Sequence, residues 1–237
     1  MTETLYPMPT DMLVGAHYTP EHIRETTTPQ MLKADNAPFF YICSTMGIFE
    51  SPTPNIEAFI AMAKIVGRPF GLSHVLYPDE PLDSQANYFA HMVANSGSTL
   101  IPMILLDENF VEKAGRMSAP VLVALLLRFI TNLEMQLDRK GVFVTNERIA
   151  IGVSRYTWGV KFRKSNEFVG YNICPIFDEF ELPSTENGGV VRPKAPELES
   201  PCSIFQVRPK DKKKLQVFAP NGLIGITQRR YWREMRK

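Results

Sequence analysis

The 237-residue sequence is short of cysteine, of long apolar runs and of net charge, and each shortage removes a class of protein. Three cysteines, Cys43, Cys174 and Cys202, cannot all pair within one chain, and none stands in the CxxC spacing that structural zinc uses. They read as reduced thiols, mostly in the core. The longest uninterrupted apolar run, residues 121–127, stops at Arg128, far below the roughly 18 residues that cross a bilayer. No transmembrane segment is expected. The opening residues MTETLYPMPTDM supply neither the basic start nor the apolar stretch of a secretory signal, so the chain is expected to be made and kept in a cytoplasm.

Lys+Arg number 26 and Asp+Glu 25, a net charge of +1, so nothing global argues for a nucleic-acid coat or a trap for acidic substrates. The balance conceals a polarity. From Arg208 to Lys237 there are ten basic and two acidic residues, net +8, which leaves the first 207 residues at −7. Also missing are GxGxxG and GxxxxGK[ST] after any early apolar run, which removes the phosphate cradle expected of a Rossmann or P-loop sheet.

What is present, at 44% hydrophobic residues, is ample material for a core. Short apolar runs at 12–16, 38–43, 70–76 and 100–106 are flanked by Pro, Gly or Asp and read as buried strands. Between them lie helical patterns. In SPTPNIEAFIAMAKIVG, Ile56, Phe59, Ile60 and Ala63 share one face, with Pro54 suited to the first turn and Gly67 to the C-terminus. LDSQANYFAHMVANSG follows with Asp83 as candidate N-cap, and a third helix is expected from Ser118 to Arg139, closed by Gly141, with a strand resuming at 142–145. Beyond 145 the pattern turns to strands, at 149–154, 170–177, 203–207 and 223–227, around a Pro/Gly-rich loop at 182–201. The expected fold is a single α/β domain, a flattened or incomplete TIM-like barrel of about five β/α units followed by about three strands, with a basic tail at 208–237.

The order of several fragments resembles the family-25 glycoside hydrolases, the Chalaropsis-type muramidases. PFFYICSTMG is similar to that family's strand ending in "t-e-G", FGLSHVLYPD to "G-x-Y-H-F-x-x-P", DSQANYFAHMV to "A-x-x-q-A-d-y-F", LIPMILLDEN to "l-P-p-v-L-D-v-E", and SIFQV to "w-x-W-Q-Y". GLIGITQRRYW stands where the family closes with "v-D-x-N-x-F". The resemblance spans nearly the whole chain and implies a barrel that binds peptidoglycan-like glycan at the C-terminal ends of its strands.

The chemistry departs from that pattern. Glycoside cleavage needs two convergent carboxyl groups, or one acid beside a substrate nucleophile. The family's strand-one "G-i-D-v-S" corresponds to Val14, Gly15, Ala16 and His17, without a carboxylate. Its D-x-E places Asp on Leu105 and the catalytic Glu on Asp107 when read from Pro102. Asp107 and Glu108 are adjacent, so on a regular strand only one of them enters the site. The acidic "t-e-G" has become Thr45-Met46-Gly47, and the closing Asp has no counterpart in Gly225-Ile226-Thr227-Gln228. Five expected carboxylate positions yield at most one, and the reaction is expected to be lost.

Asp107 and Glu108 remain the catalytic candidates, with Asp79 and Glu80 of the YPDEP loop as possible substitutes. His74, matching the family's "Y-H-F" histidine, is expected to line the cleft, and Tyr77, Tyr156, Trp158 and Phe205 are candidates for stacking on sugar rings. Each of these residues also suits plain core packing. His17 and His22 with His74 lack a reliably placed acid, so neither a metal nor any cofactor is expected. The basic end, with Arg229, Arg230 and Trp232, reads as a docking element for a protein partner or as a solvated tail, with nucleic acid and membrane not expected. A non-catalytic, glycan-holding or docking component of a phage or phage-derived particle is the leading expectation, and an active muramidase with rearranged carboxylates is the alternative.

Overall fold

A computed structural model describes residues 6–7, 12–19, 30–48, 56–106, 108–115, 117–142, 149–154, 172–178, 191–192, 205–208 and 215–220. In chain order its elements are β1 (Tyr6–Pro7), β2 (Met12–Tyr18), α1 (Gln30–Ala34), β3 (Phe40–Met46), α2 (Ile56–Val66), β4 (Phe70–Val75), α3 (Leu82–Ser96), β5 (Met103–Leu106), α4 (Glu108–Ala114), α5 (Ala119–Arg139), β6 (Ala150–Ser154), β7 (Asn172–Asp178), β8 (Val191–Arg192), β9 (Phe205–Arg208) and β10 (Leu215–Pro220).

Eight of the strands form a closed barrel, β2-β3-β4-β5-β6-β7-β9-β10. The pairs from β2 through β7 to β9 are all parallel. Closure falls to β10, antiparallel to β9 on one side and to β2 on the other, with Val217 opposite Gln206 and Gly15. The α/β barrel is therefore present, and it is incomplete in its helices: the described ones all precede β6. β1 and β8 make a separate short ladder, pairing Tyr6 with Arg192 and Pro7 with Val191.

The alternation of side chains across each strand divides the core in two. Phe40, Ile42, Phe70, Leu72, Leu76, Ile104 and Leu106 face outward and pack with the apolar stripes of α2, α3 and α5. Tyr41, Cys43, Val75, Met103, Leu105, Cys174, Ile176 and Val217 face inward and fill the barrel with Phe39 and Tyr77. The interior is tight enough to require glycine in places. A Cβ on Gly15 would lie 2.3 Å from the Phe39 ring, and one on Gly152 would lie 2.7 Å from Leu105 Cδ2.

The helices begin and end largely where their sequences direct. Gly67, Gly97 and Gly141 follow α2, α3 and α5 at φ of 70–72°, the left-handed conformation that glycine adopts without strain. Asp83 does not cap α3. The helix starts at Leu82 behind Pro81, and the Asp83 carboxylate instead accepts hydrogen bonds from Arg128 and Asn132 of α5. α5 is long and apolar enough to cross a bilayer by length and composition. Its apolar stripe of Leu122, Leu126, Phe129, Ile130, Leu133 and Leu137 is nevertheless fully buried, as expected of a core helix.

Two expectations need correction. The basic segment from 208 is not all tail, because Leu215–Pro220 is the strand that closes the barrel. Nor is 182–201 wholly loop, since Val191–Arg192 pairs with the N-terminal strand. The strands expected at 142–145 and 223–227 lie outside the described residues, apart from Val142, which follows α5 in no regular element.

Candidate functional site

Parallel barrels gather their functional groups at the C-terminal ends of the strands, here the rim formed by the ends of β2, β3, β4 and β5. His17, one residue before the end of β2, points inward and is fully buried. Its Nδ1 lies 2.6 Å from Gln206 Oε1 on β9, and its Nε2 lies 2.8 Å from Ser73 Oγ on β4. With the Gln206 carbonyl as acceptor, Nδ1 carries the proton and Nε2 accepts from the serine hydroxyl. The Gln206 amide nitrogen faces Met103 Sδ at 3.6 Å. A hydrogen-bonded chain thus spans the barrel from β4 through β2 to β9, and all three of its residues have no exposed surface. Ser–His–Gln is the order of a nucleophile, a base and an orienting group, but burial withholds it from a substrate and leaves it a structural strut.

On β3 a bulge changes the face reached by the last residues. Cys43 pairs with Ser73 and Thr45 with His74, so Ser44 is an extra residue in the ladder. Thr45 is thereby turned to the outer face, where its hydroxyl lies 2.8 Å from His74 Nδ1. Met46 then packs on the inward cluster. Leu105 of β5 also belongs to that cluster and is 2% exposed. The barrel interior therefore receives His17, Met46 and Leu105 at the positions where the family resemblance puts carboxylates. The neighbouring Tyr41 phenol is no replacement acid: burial foremost, with Cys174 beside it, raises its pKa above the ordinary value, and its hydroxyl donates to Ile101 O at 3.0 Å.

His74 does not line the cleft. It alternates with the inward Ser73 and Val75 and faces the helices, where its ring stacks between Phe89 of α3 and Phe129 of α5 at centroid distances of 5.3 and 5.2 Å. Its Nε2 donates to Gln85 Oε1 at 3.1 Å. The Gln85 orientation is fixed by the Tyr77 backbone, whose N–H it accepts at 3.0 Å and whose carbonyl it donates to at 2.8 Å. Burial drives the His74 pKa down to about 3, only partly opposed by the Gln85 bond. It is a neutral core histidine. His17 and His74 lie on opposite faces of the barrel wall and cannot share a metal, and no group of three potential ligands occurs among the described residues.

The rim itself carries Tyr77, Asp79 and Glu80, which follow β4, and Lys113 of α4. Lys113 Nζ stands 4.1 Å from the centre of the Tyr77 ring, 3.7 Å from Asp79 and 3.8 Å from Glu80. Glu80 Oε2 also accepts the Ile48 N–H at 2.9 Å. Gly47 permits this approach: its φ is +54°, and a Cβ there would strike the Glu80 carboxylate. Lys113 thus stands between the Asp79 and Glu80 carboxylates, and Glu80 is further held by a backbone amide.

Asp107 and Trp158 lie outside the described residues, as do Tyr156, His22, Cys202, Arg229, Arg230 and Trp232. Glu108 opens α4 and Phe205 opens β9, with their backbones alone described. The sequence reading overlooked Ser73 and Gln206 because neither looks ionisable. The signal available was the alternation that places Ser73 beside the inward-facing Val75.

No protein-family model matches the sequence, and no curated protein matches it. Solved structures do match the fold. A family GH25 lysozyme from Aspergillus fumigatus superposes with a TM-score of 0.67 at 16% identity, over 92% of this chain and 99% of that one. The catalytic domain of endolysin ply40 from bacteriophage P40 of Listeria monocytogenes gives 0.59 at 14% identity, over 93% and 99%. The modular autolysin LytC from Streptococcus pneumoniae, in complex with synthetic peptidoglycan ligand, gives 0.56 at 10% identity, over 87% of this chain and 46% of that one. This chain therefore has the fold of the family-25 glycoside hydrolases.

Proposed function

We propose that this protein is a muramidase-like barrel without hydrolytic activity, which holds cell-wall glycan or docks neighbours as a component of a phage or phage-derived particle. One observation carries the reading. His17, Met46 and Leu105 occupy three inward positions at which the related pattern has carboxylates, and together they present an imidazole, a thioether and an alkyl group. Oxocarbenium-like transition states need an acid for the leaving oxygen and a nucleophile or negative group beneath the ring; Met46 and Leu105 supply neither, and His17 is buried with both ring nitrogens engaged by Gln206 and Ser73. Asp107 alone would be an acid without a second protein carboxylate beside it.

The autolysin solved with a peptidoglycan ligand supports glycan as the bound material. The catalytic domain of a phage endolysin with the same fold supports a phage setting.

A turbidity assay on purified peptidoglycan, with Asp107→Asn and Glu108→Gln beside the unaltered protein, tests the proposal. The expected result is no clearing by any of the three, together with cosedimentation of the folded protein with the glycan. Clearing by the unaltered protein that either substitution abolishes would overturn it and identify the acid.

A further inference from the structure

Tyr77 is an aromatic residue at the mouth of a barrel whose ring face is already occupied. The residue belongs to the inward cluster and is 8% exposed. The Lys113 ammonium stands over it at 4.1 Å, and the Lys113 side chain is 32% exposed. The lysine therefore lies on the solvent side of the ring. Apolar sugar faces bind aromatic faces of this kind, and a cation on the same face competes for the same surface.

We propose that Lys113 is a displaceable cover over a sugar-stacking face on Tyr77, and that its removal exposes a binding position for an uncharged N-acetylated hexose unit. The inference rests on the glycan-binding reading above and adds the residue that receives the sugar and the one that restricts it. Three features support a cover that moves. Its two ion pairs, at 3.7 and 3.8 Å, are beyond hydrogen-bond length, and they join side chains with 27–43% exposure, where such pairs are weak and screened by salt. Lys113 is carried on the last turn of a seven-residue helix, apart from the β4 loop that carries its partners. The Tyr77 backbone does not depend on the lysine for its position, because it is held at both N–H and carbonyl by Gln85.

Binding of a chitotetraose probe, an uncharged oligomer of N-acetylglucosamine, would be measured by calorimetry for the unaltered protein, Lys113→Ala, Tyr77→Leu and the double variant, each first checked for a native melting transition. Lys113→Ala is expected to tighten binding roughly two- to fivefold, the range for loss of an exposed cation–π contact. Tyr77→Leu, which keeps an apolar group in the barrel cluster, is expected to remove that gain in the double variant. Raising the salt concentration is expected to tighten binding by the unaltered protein and to leave Lys113→Ala unchanged, since the probe carries no charge. Binding by the unaltered protein that Lys113→Ala leaves unchanged, or a gain that persists with Leu at 77, would overturn the cover while leaving glycan binding intact. No binding by any variant would overturn both.

Discussion

Lowering the pH from 7 to 4.5 is expected to destabilise the fold by about 3 kcal/mol through His74. The imidazole is wholly buried between Phe89 and Phe129, and its pKa falls from 6.5 to about 3. Below pH 6.5 the unfolded chain takes up a proton at this position while the folded chain refuses it. Stability is thus fully present above the unfolded value and is lost as the pH falls toward the folded one, at about 1.4 kcal/mol per unit. The comparison is with His74→Gln, which can still accept from Thr45 and donate to Gln85 but does not titrate. That variant is expected to be less stable at pH 7, having lost the stacked ring. Its urea midpoint should then change less between pH 7 and 4.5 than the unaltered protein's, by the equivalent of one proton. Equal pH slopes for the two proteins would show that the ring accepts a proton in place, contrary to its burial.

The second large effect concerns the strut inside the barrel. His17→Leu fills the space but leaves Gln206 Oε1 and the Ser73 hydroxyl buried without their imidazole partner, a loss of about 2–4 kcal/mol. Gln206→Leu is expected to cost a similar amount, because His17 Nδ1 then loses its acceptor. The two losses should not add. Once one member has been replaced, removing the other deletes a polar group already deprived of its partner, so the double variant should be about 1–2 kcal/mol more stable than the sum predicts. Chemical unfolding of the four proteins measures this directly. Additivity within about 0.5 kcal/mol would mean that the chain does not act as a unit.

Both effects arise where hydrogen bonding joins strands distant in sequence, and this marks the limit of what could be read from the residues. The apolar runs of β2 to β5, the stripes on α2, α3 and α5 and the glycines ending those helices follow from local periodicity and backbone sterics, and they stand close to their expected places. β10 escaped notice. LQVFAP follows a run of lysines, and its role comes from pairing with residues 12–17 at the other end of the chain, which no local pattern specifies. His74 escaped for a subtler reason. Its place in the resembling motif suggested the cleft, whereas the period of two along β4, with Ser73 and Val75 inward, assigns it to the helices. Thr45 could meet it there only because the bulge at Ser44 reverses the face of the following residues.

The candidate site divides in the same way. That the expected carboxylates are missing is legible in the residues themselves: His17, Met46 and Leu105 are not acids, whatever their surroundings. That these three side chains converge inside one barrel depends on strand register, bulge and closure. So does the Ser73–His17–Gln206 strut across the place of the missing charge, whose partners lie 56 and 189 residues from His17. Sequence alone determined which chemical groups this protein possesses and which it lacks, because composition and local periodicity are properties of neighbouring residues. Only the tertiary structure decided which of those groups face one another, because contacts across a closed barrel are set by strand pairing between distant parts of the chain.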